Sequence, residues 1–168
     1  RVYVEEYIKT IQKVYLGLVV DWVSASVMLL ITPITENNED DIVKLAIKCP
    51  ESILKINLGT QKEITAAQVK EISEFLQISA ETKELKSFLN KMLKIFYHYD
   101  ATMLEINPIG ISKDGIIWAL DAKITFDANA LYRHTDIIKL ADEAEIDERE
   151  QTASKYGFQY KELESGIG

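Results

Sequence analysis

The sequence predicts an α+β fold in which helices cover one face of an antiparallel sheet. The strongest support is a hairpin at residues 101–126, where alternating apolar and polar residues on two arms flank an Asp-Gly turn. The segment directly before it, residues 79–99, carries apolar side chains at steps of three and four, as amphipathic helices do. We therefore expect this helix to pack on the sheet that contains the hairpin.

The other elements follow from the same two kinds of periodicity. Further strands are predicted where β-branched and aromatic residues cluster, at residues 1–5, 14–23, 27–31, 53–58 and 159–163, the second and third as an antiparallel pair. Further helices are predicted at residues 40–47, 65–77 and 148–156. Thr65 begins a capping box, and Cys49 and Pro50 end the helix before it. Residues 127–132 are predicted as a turn, and the acidic residues 142–150 as solvent-exposed surface.

Composition excludes several classes of function. The 19 Lys and Arg against 27 Asp and Glu give a net charge of -8, which argues against nucleic acid as a partner. No apolar run approaches the roughly 20 residues that span a bilayer, so no membrane partner is expected. The single cysteine, Cys49, has no partner for an internal disulfide; we expect a small buried apolar residue and a reducing compartment.

The loop length of the hairpin decides which side chains face each other. A two-residue loop would divide the polar groups between both faces of the sheet, whereas a three-residue loop places Gly115 in the left-handed position of a bulge. Asn107 then faces Asp121. The next pair on the same face is Glu105 with Lys123. We prefer the three-residue loop, because a slip of one residue would expose the apolar set on the opposite face. That set is Leu104, Ile106, Trp118, Leu120, Ala122 and Ile124.

The resulting polar cluster has two interpretations. Asn107 and Asp121 offer hard oxygen ligands of the kind that bind Mg²⁺ together with substrate phosphates. Glu105 is placed to orient a phosphorylated or protonated group, and Lys123 to neutralise phosphate. The alternative is a solvent-facing Glu/Lys pair across two strands, which is a common surface arrangement.

Three short motifs resemble the β subunit of succinate-CoA ligase. They are Leu-Glu-Ile-Asn-Pro at residues 104–108, Leu-Asp-Ala-Lys-Ile at 120–124 and Asn-Ala-Leu-Tyr-Arg-His at 129–134, with weaker similarity across nearly the whole chain. In that family an ATP-grasp domain precedes a flavodoxin-like CoA-ligase domain. The resemblance implies that residues 1–157 are the C-terminal half of an ATP-grasp fold and that residues 158–168 begin the next domain. The other half, with its Gly-rich phosphate loop, and the remaining CoA-ligase domain are expected outside this sequence.

The family resemblance also implies an activity. It implies an acid-thiol ligase, ADP- or GDP-forming, that couples nucleoside triphosphate cleavage to succinyl-CoA formation through a phosphohistidine in the tricarboxylic acid cycle. The implied partner is an α subunit that carries the phosphorylated histidine and the CoA site. Mg²⁺ and ATP or GTP would act on the β subunit, in bacterial cytoplasm or the mitochondrial matrix, and the piece alone is expected to be inactive.

Individual residues take roles from the same resemblance. Asn107 and Asp121 match the Mg²⁺ ligands that hold the nucleotide phosphates. Glu105 matches the glutamate that stabilises the phosphohistidine at the nucleotide site. Glu5 matches a nucleotide-contacting glutamate at the end of the strand that joins the two ATP-grasp halves.

Three departures from the family pattern leave other functions open. Lys13 stands at the position of a second nucleotide-contacting glutamate, Asn37 and Asn38 replace two glycines, and Gly166 replaces an asparagine that contacts succinate. Two alternative functions therefore stay open. The chain is either a non-catalytic remnant that docks an α-like subunit, or part of another acyl-CoA ligase, such as a malate-CoA ligase.

Overall fold

The computed structural model describes residues 2, 4–35, 42–78, 82–140, 148–156, 158 and 160. The chain folds as two compact units, Arg1–Ala130 and Leu131–Gly168. The domain boundary predicted at residue 157 stays a prediction. Among the described residues, no helix is long and apolar enough to cross a membrane.

The first unit is built on a six-stranded antiparallel sheet. Its strands are β1 (Gln12–Asp21), β2 (Ser26–Pro33), β3 (Leu54–Gly59), β4 (Ala101–Ile111), β5 (Ile117–Ala119) and β6 (Ala122–Phe126). The order is β3-β2-β1-β4, and β5 and β6 pair with successive parts of β4. The predicted antiparallel pair is confirmed as β1 and β2. The strand predicted at residues 1–5 is wrong for its described residues, since Val2, Val4 and Glu5 lie in no strand.

Three helices accompany the sheet: α1 (Ile42–Lys48), α2 (Ala66–Leu76) and α3 (Thr82–His98). α2 contacts β2 and β3, whereas α3 contacts β4 and β5. The α3 side chains predicted to face inward are buried or packed against the core, namely Leu85, Phe88, Leu89, Met92, Leu93, Phe96 and Tyr97. This confirms an α+β fold with helices on one face of an antiparallel sheet.

Polar contacts at both ends of α2 connect it to α3 and to the sheet. At its start, the capping box is confirmed: the Gln68 N–H donates to the Thr65 hydroxyl at 3.2 Å, and the Thr65 N–H donates to Gln68 Oε1 at 2.9 Å. Just before it, the Ile64 N–H donates to Asn90 Oδ1 on α3 at 2.8 Å. At its end, Gln12 Nε2 on β1 donates to the Leu76 carbonyl at 3.0 Å. These contacts give the backbone groups at the helix ends the partners they need.

Cys49 departs from its prediction. α1 ends at Lys48 before Pro50, as predicted, but Cys49 is exposed rather than buried. The reason is its position between α1 and a single 3₁₀ turn, Pro50–Ser52, in which every residue is at least partly exposed.

The second unit contains a 3₁₀ turn (Leu131–Arg133), α4 (Thr135–Ile138) and α5 (Glu148–Lys155). α5 confirms the helix predicted at residues 148–156. Most of the acidic run, residues 142–147, lies outside the described residues. So does most of the strand predicted at 159–163, of which only Tyr160 is described, in no strand. Of the turn predicted at 127–132, residues 127–130 lie in the first unit, where the Asn129 N–H donates to Asp127 Oδ1 at 2.9 Å, and the last two residues belong to the 3₁₀ turn of the second unit.

Truncation of a central α3 side chain tests this packing. Leu89 is 2% exposed, so Leu89→Ala should lower the free energy of unfolding by about 2–5 kcal/mol through lost burial and the cavity left behind. Urea unfolding would measure the change. The matched control is Lys91→Ala on the exposed side of α3, which should change stability by less than about 0.5 kcal/mol. Equal effects would contradict the burial of this helix face.

Candidate functional site

The hairpin between β4 and β5 has the predicted three-residue loop. The Ser112 N–H donates to the Ile116 carbonyl at 3.0 Å, and the Gly115 N–H donates to the Ser112 carbonyl at 3.0 Å. Gly115 has φ of +82°, the left-handed conformation that favours glycine at this point of a hairpin. The loop length therefore agrees with the prediction.

This loop sets the register of the polar cluster. Glu105 on β4 pairs directly with Lys123 on β6, and the Asn107 N–H donates to the Asp121 carbonyl at 3.0 Å. Paired residues in an antiparallel ladder lie on the same face of the sheet. The predicted register is thus confirmed. Glu105 and Asn107 are half-buried, while Asp121 and Lys123 are exposed.

β4 contains one extra residue relative to β1 at the centre of the cluster. Leu16 pairs with Ile106, but Val14 pairs with Ile109, so the register shifts across Asn107 and Pro108. Ile106 and Ile109 are therefore both buried, although they are three residues apart. As in other β-bulges, the intervening residues turn to the opposite, open face of the sheet. The Asn107–Pro108 peptide bond is cis.

Because of the same register shift, the apolar face predicted for the hairpin is only partly correct. Leu104 and Ile106 are buried and Ile124 packs on the core, as predicted. Trp118 is instead 39% exposed, and it lines a cleft together with Leu120. The prediction was wrong for these two residues because it assumed unbroken alternation along β4.

The prediction that Ala122 belongs to the buried apolar set is also wrong. Ala122 pairs with Ile106 but is exposed, because β6 lies at the edge of the sheet.

The cleft has a volume of about 590 Å³ and lies between the N-terminal segment and the hairpin. Its lining consists of Glu5, Glu6, Tyr7, Ile8, Thr10, Lys13, Pro108, Trp118, Ala119 and Leu120. Glu5, a predicted site residue, is therefore in the same cleft as Pro108, which follows Asn107 in the chain. The Ile11 N–H donates to the Ile111 carbonyl at 2.8 Å and attaches the segment to β4.

Gly110 allows the two walls of the cleft to meet over β4. A Cβ atom at this position would lie 2.3 Å from Thr10 Cγ2 and 2.9 Å from Leu120 Cδ1. Both distances are shorter than van der Waals contact, so only glycine lets these side chains approach the strand so closely. This role of Gly110 could not be predicted from the sequence, because it depends on segments a hundred residues apart.

Tyr15 is a second residue that sequence reasoning missed. Its side chain is 6% exposed and reaches over Gly17, where an added Cβ would lie 2.9 Å from the Tyr15 hydroxyl. Gly17 pairs with Glu105 across β1 and β4. Burial, and secondarily the negative charge of Glu105, raise the pKa of Tyr15 to about 12. The phenol thus stays protonated beside the carboxylate at neutral pH.

The acidic groups of the site are few. Within the described ranges, no three His, Cys, Asp or Glu side chains lie close enough together to hold a metal ion. At the hairpin, Asp121 offers a carboxylate and Asn107 an amide oxygen, and their role as metal ligands stays a prediction. This is a small donor set that leaves further coordination positions to other groups.

Comparison with known proteins identifies the family. A family model of the ATP-grasp domain matches residues 1–111. The chain belongs to the ATP-grasp family. Two solved structures share the fold of this chain at low sequence identity. An ATP citrate lyase from Methanothrix soehngenii has a TM-score of 0.61 and 14% identity over 90% of this chain and 34% of its own. An acetyl-coenzyme A synthetase from Ca. Korarchaeum cryptofilum has a TM-score of 0.52 and 12% identity over 73% of this chain and 57% of its own.

Sequence relatives confirm the resemblance to succinate-CoA ligase β subunits. The β subunit of an ADP-forming succinate-CoA ligase from Acidiphilium cryptum is 37% identical over the whole chain, and a β subunit from Archaeoglobus fulgidus is 32% identical. The chain spans 42% and 43% of those two proteins. It thus corresponds to less than half of each relative.

Substitution of Gly110 tests the closure of the cleft. Gly110→Ala should push Thr10 and Leu120 off β4, lower the melting temperature and increase amide exchange at Thr10 and Ile11. Hydrogen exchange would locate the effect. Thr10→Ser removes the Cγ2 atom of the closest contact, so the double variant should recover part of the lost protection. No recovery would contradict the assigned contact.

Titration at high pH tests the surroundings of Tyr15. The unfolded chain releases this proton near pH 10 and the folded chain near 12. The folded state therefore holds more protons between these values, and the free energy of unfolding should fall as pH rises through them. The phenolate absorbance of wild type minus that of Tyr15→Phe would isolate Tyr15 among the eight tyrosines.

Glu105→Gln separates the two causes of the raised Tyr15 pKa, which are burial and the charge of Glu105. Because burial is the larger cause, this substitution should lower the pKa of Tyr15 by less than half of the shift. A Tyr15 that titrates near pH 10 in wild type would contradict the description.

Proposed function

We propose that this chain is the part of a succinate-CoA ligase β subunit that contacts the magnesium-bound nucleotide and the phosphohistidine. The observation that carries the proposal is the hairpin register, which places Asn107 opposite Asp121 and Glu105 opposite Lys123 beside the cleft that contains Glu5. The relatives named as β subunits of this ligase support it across the full length of the chain.

Asn107 and Asp121 would hold Mg²⁺. Their side chains supply one amide oxygen and one carboxylate, a donor set that suits a hard cation which keeps several waters and also binds phosphate oxygens. When bound, the ion would neutralise charge on the transferred phosphoryl group. Asp121 is exposed, so its carboxylate is accessible to a ligand on the open face.

The cleft would receive the base and ribose of the nucleotide. Trp118, Leu120 and Pro108 provide apolar surface on one wall, and a volume of about 590 Å³ is in the usual range for small-molecule sites. On the other wall, the carboxylate of Glu5 would accept hydrogen bonds from hydroxyl or amino groups. Either ATP or GTP is compatible with these groups.

Glu105 would accept a hydrogen bond from the imidazole of a phosphohistidine brought by the α subunit. Its negative charge favours the protonated, positively charged ring nitrogen, and Lys123 directly opposite would attract the phosphoryl oxygens. Tyr15, protonated and close to Glu105, would help to hold the carboxylate in place.

In the complete enzyme these contacts would serve phosphoryl transfer between nucleotide and histidine, and then succinyl-CoA formation with CoA bound by the α subunit. The tricarboxylic acid cycle is the pathway implied, in bacterial cytoplasm or the mitochondrial matrix. Malate is the alternative acid, and product analysis with succinate and malate in competition would distinguish the two.

One observation favours a second candidate, a non-catalytic chain that docks an α-like subunit. Lys13 lines the cleft at the position of a family glutamate. A positively charged side chain, instead of a carboxylate, would therefore contact the ribose or base. If the chain is catalytic, Lys13→Glu should tighten nucleotide binding in the complete β chain. No nucleotide binding by either form would favour the docking role.

Loss of Asp121 tests the magnesium role. In a complete β chain assembled with its α subunit, Asp121→Asn should reduce turnover at least about a hundredfold, because it removes the only charged protein ligand proposed for the cation. Succinyl-CoA formation and magnesium-dependent nucleotide binding would both be measured. Glu71→Gln, exposed on α2 across the sheet, is the matched control and should leave both unchanged. Unchanged turnover in Asp121→Asn would refute the magnesium role proposed for Asp121.

A further inference from the structure

A second cavity, of about 570 Å³, lies on the outer surface of α3, on the helix-covered side of the sheet. It is therefore on the opposite side of the sheet from Glu105 and the hairpin cluster, and the proposed function does not use it. Its lining consists of Lys62, Glu63, Ser87, Asn90, Lys91, Leu93, Lys94, Tyr97 and His98. The volume is in the usual range for a small organic ligand.

The cavity concentrates positive charge on an acidic chain. Lys62, Lys91 and Lys94 face a single carboxylate, that of Glu63, although the whole chain has a net charge of -8. In the described part of the chain, none of these three lysines has an ion-pair partner within 4.0 Å. Uncompensated ammonium groups that line a concave surface attract anions.

Neutral hydrogen-bond donors line the same cavity. The Asn90 carbonyl oxygen is occupied by the Ile64 N–H at 2.8 Å, which leaves its amide N–H groups to donate. The Tyr97 hydroxyl is buried and has no hydrogen-bond partner among the described residues. Burial raises the pKa of Tyr97, so the hydroxyl keeps its proton. A buried donor without an acceptor is costly, so a ligand oxygen that reaches this hydroxyl on binding would relieve that cost.

Apolar surface completes the lining. The half-buried ring of Tyr97 forms an accessible apolar part of the wall, next to the buried side chain of Leu93. The Tyr97 ring makes an edge-to-face contact with Phe96, a buried core residue, at a centroid distance of 5.8 Å. Such edge-to-face contacts stabilise aromatic pairs.

We propose that this cavity binds a phosphate-bearing organic anion. The lysines and neutral donors would bind the phosphate oxygens, and the ring of Tyr97 would bind the organic part. Lys91 and Lys94, three residues apart on α3, lie on neighbouring positions of the same helix face and would act together.

Phenyl phosphate and inorganic phosphate are suitable probes. Both would be titrated into the full chain in the presence of a metal chelator, which removes magnesium-dependent binding at the hairpin, with affinity measured by NMR chemical-shift changes. Phenyl phosphate should bind several-fold more tightly than inorganic phosphate. Binding should weaken as ionic strength rises. Failure of phenyl phosphate to bind, or equal affinity for the two probes, would overturn the proposal.

Matched lysine variants locate the site. Lys91→Gln with Lys94→Gln should weaken phenyl phosphate binding about tenfold or more, because two charge-assisted hydrogen bonds are lost. Lys70→Gln with Lys83→Gln removes the same charge from exposed positions on α2 and α3 that do not line the cavity, and should have little effect. Equal losses in both variants would mean general charge attraction and would refute the site.

Two further variants separate this site from the hairpin. Tyr97→Phe should weaken phenyl phosphate binding several-fold while leaving the far-ultraviolet circular dichroism unchanged. Asp121→Asn should leave the binding unchanged, since the cavity is on the other side of the sheet. Loss of binding in Asp121→Asn would assign the ligand to the hairpin cluster instead.

Discussion

The polar face of this sheet depends on one extra residue in β4. Without it, strict alternation would place either Asn107 or Ile109 on the wrong side of the strand. An amide turned into the helix-covered core would lose its hydrogen bonds with water, and Ile109 on the open face would lose its burial. The shift between the Leu16–Ile106 and Val14–Ile109 pairs avoids both costs and leaves the core continuous on either side of the site.

The helix layer stabilises the sheet that carries this polar face. Leu89 and its neighbours on α3 cover one side of the sheet, while the capping box and the Asn90 contact fix the start of α2. Gln12 connects the far end of α2 to β1. Side chains on strands backed by a packed core vary little in position, which suits a site that must hold charged groups at fixed separations. The open face can therefore carry the polar residues of the site.

Local patterns were sufficient to predict the hairpin. Apolar alternation and Gly115 lie within the segment itself, so the facing of Glu105 with Lys123 followed from the sequence alone. The positions of Trp118 and the Tyr15 hydroxyl did not follow, because both depend on how β1 pairs with β4 across some ninety residues of chain. The prediction that Cys49 is buried failed for a different reason. The average burial of a residue type says little about one residue between a helix and a turn.

The contact over Gly110 has a consequence for how the chain can change in evolution. Thr10 lies against Gly110, and β1 begins only two residues later at Gln12. With so little chain between the two fixed points, an inserted residue there could not bulge outward without lifting the segment off the strand. Insertions should therefore be excluded from this junction and tolerated in the turn at residues 22–25, where Trp22 and Val23 are exposed and the chain is free to lengthen.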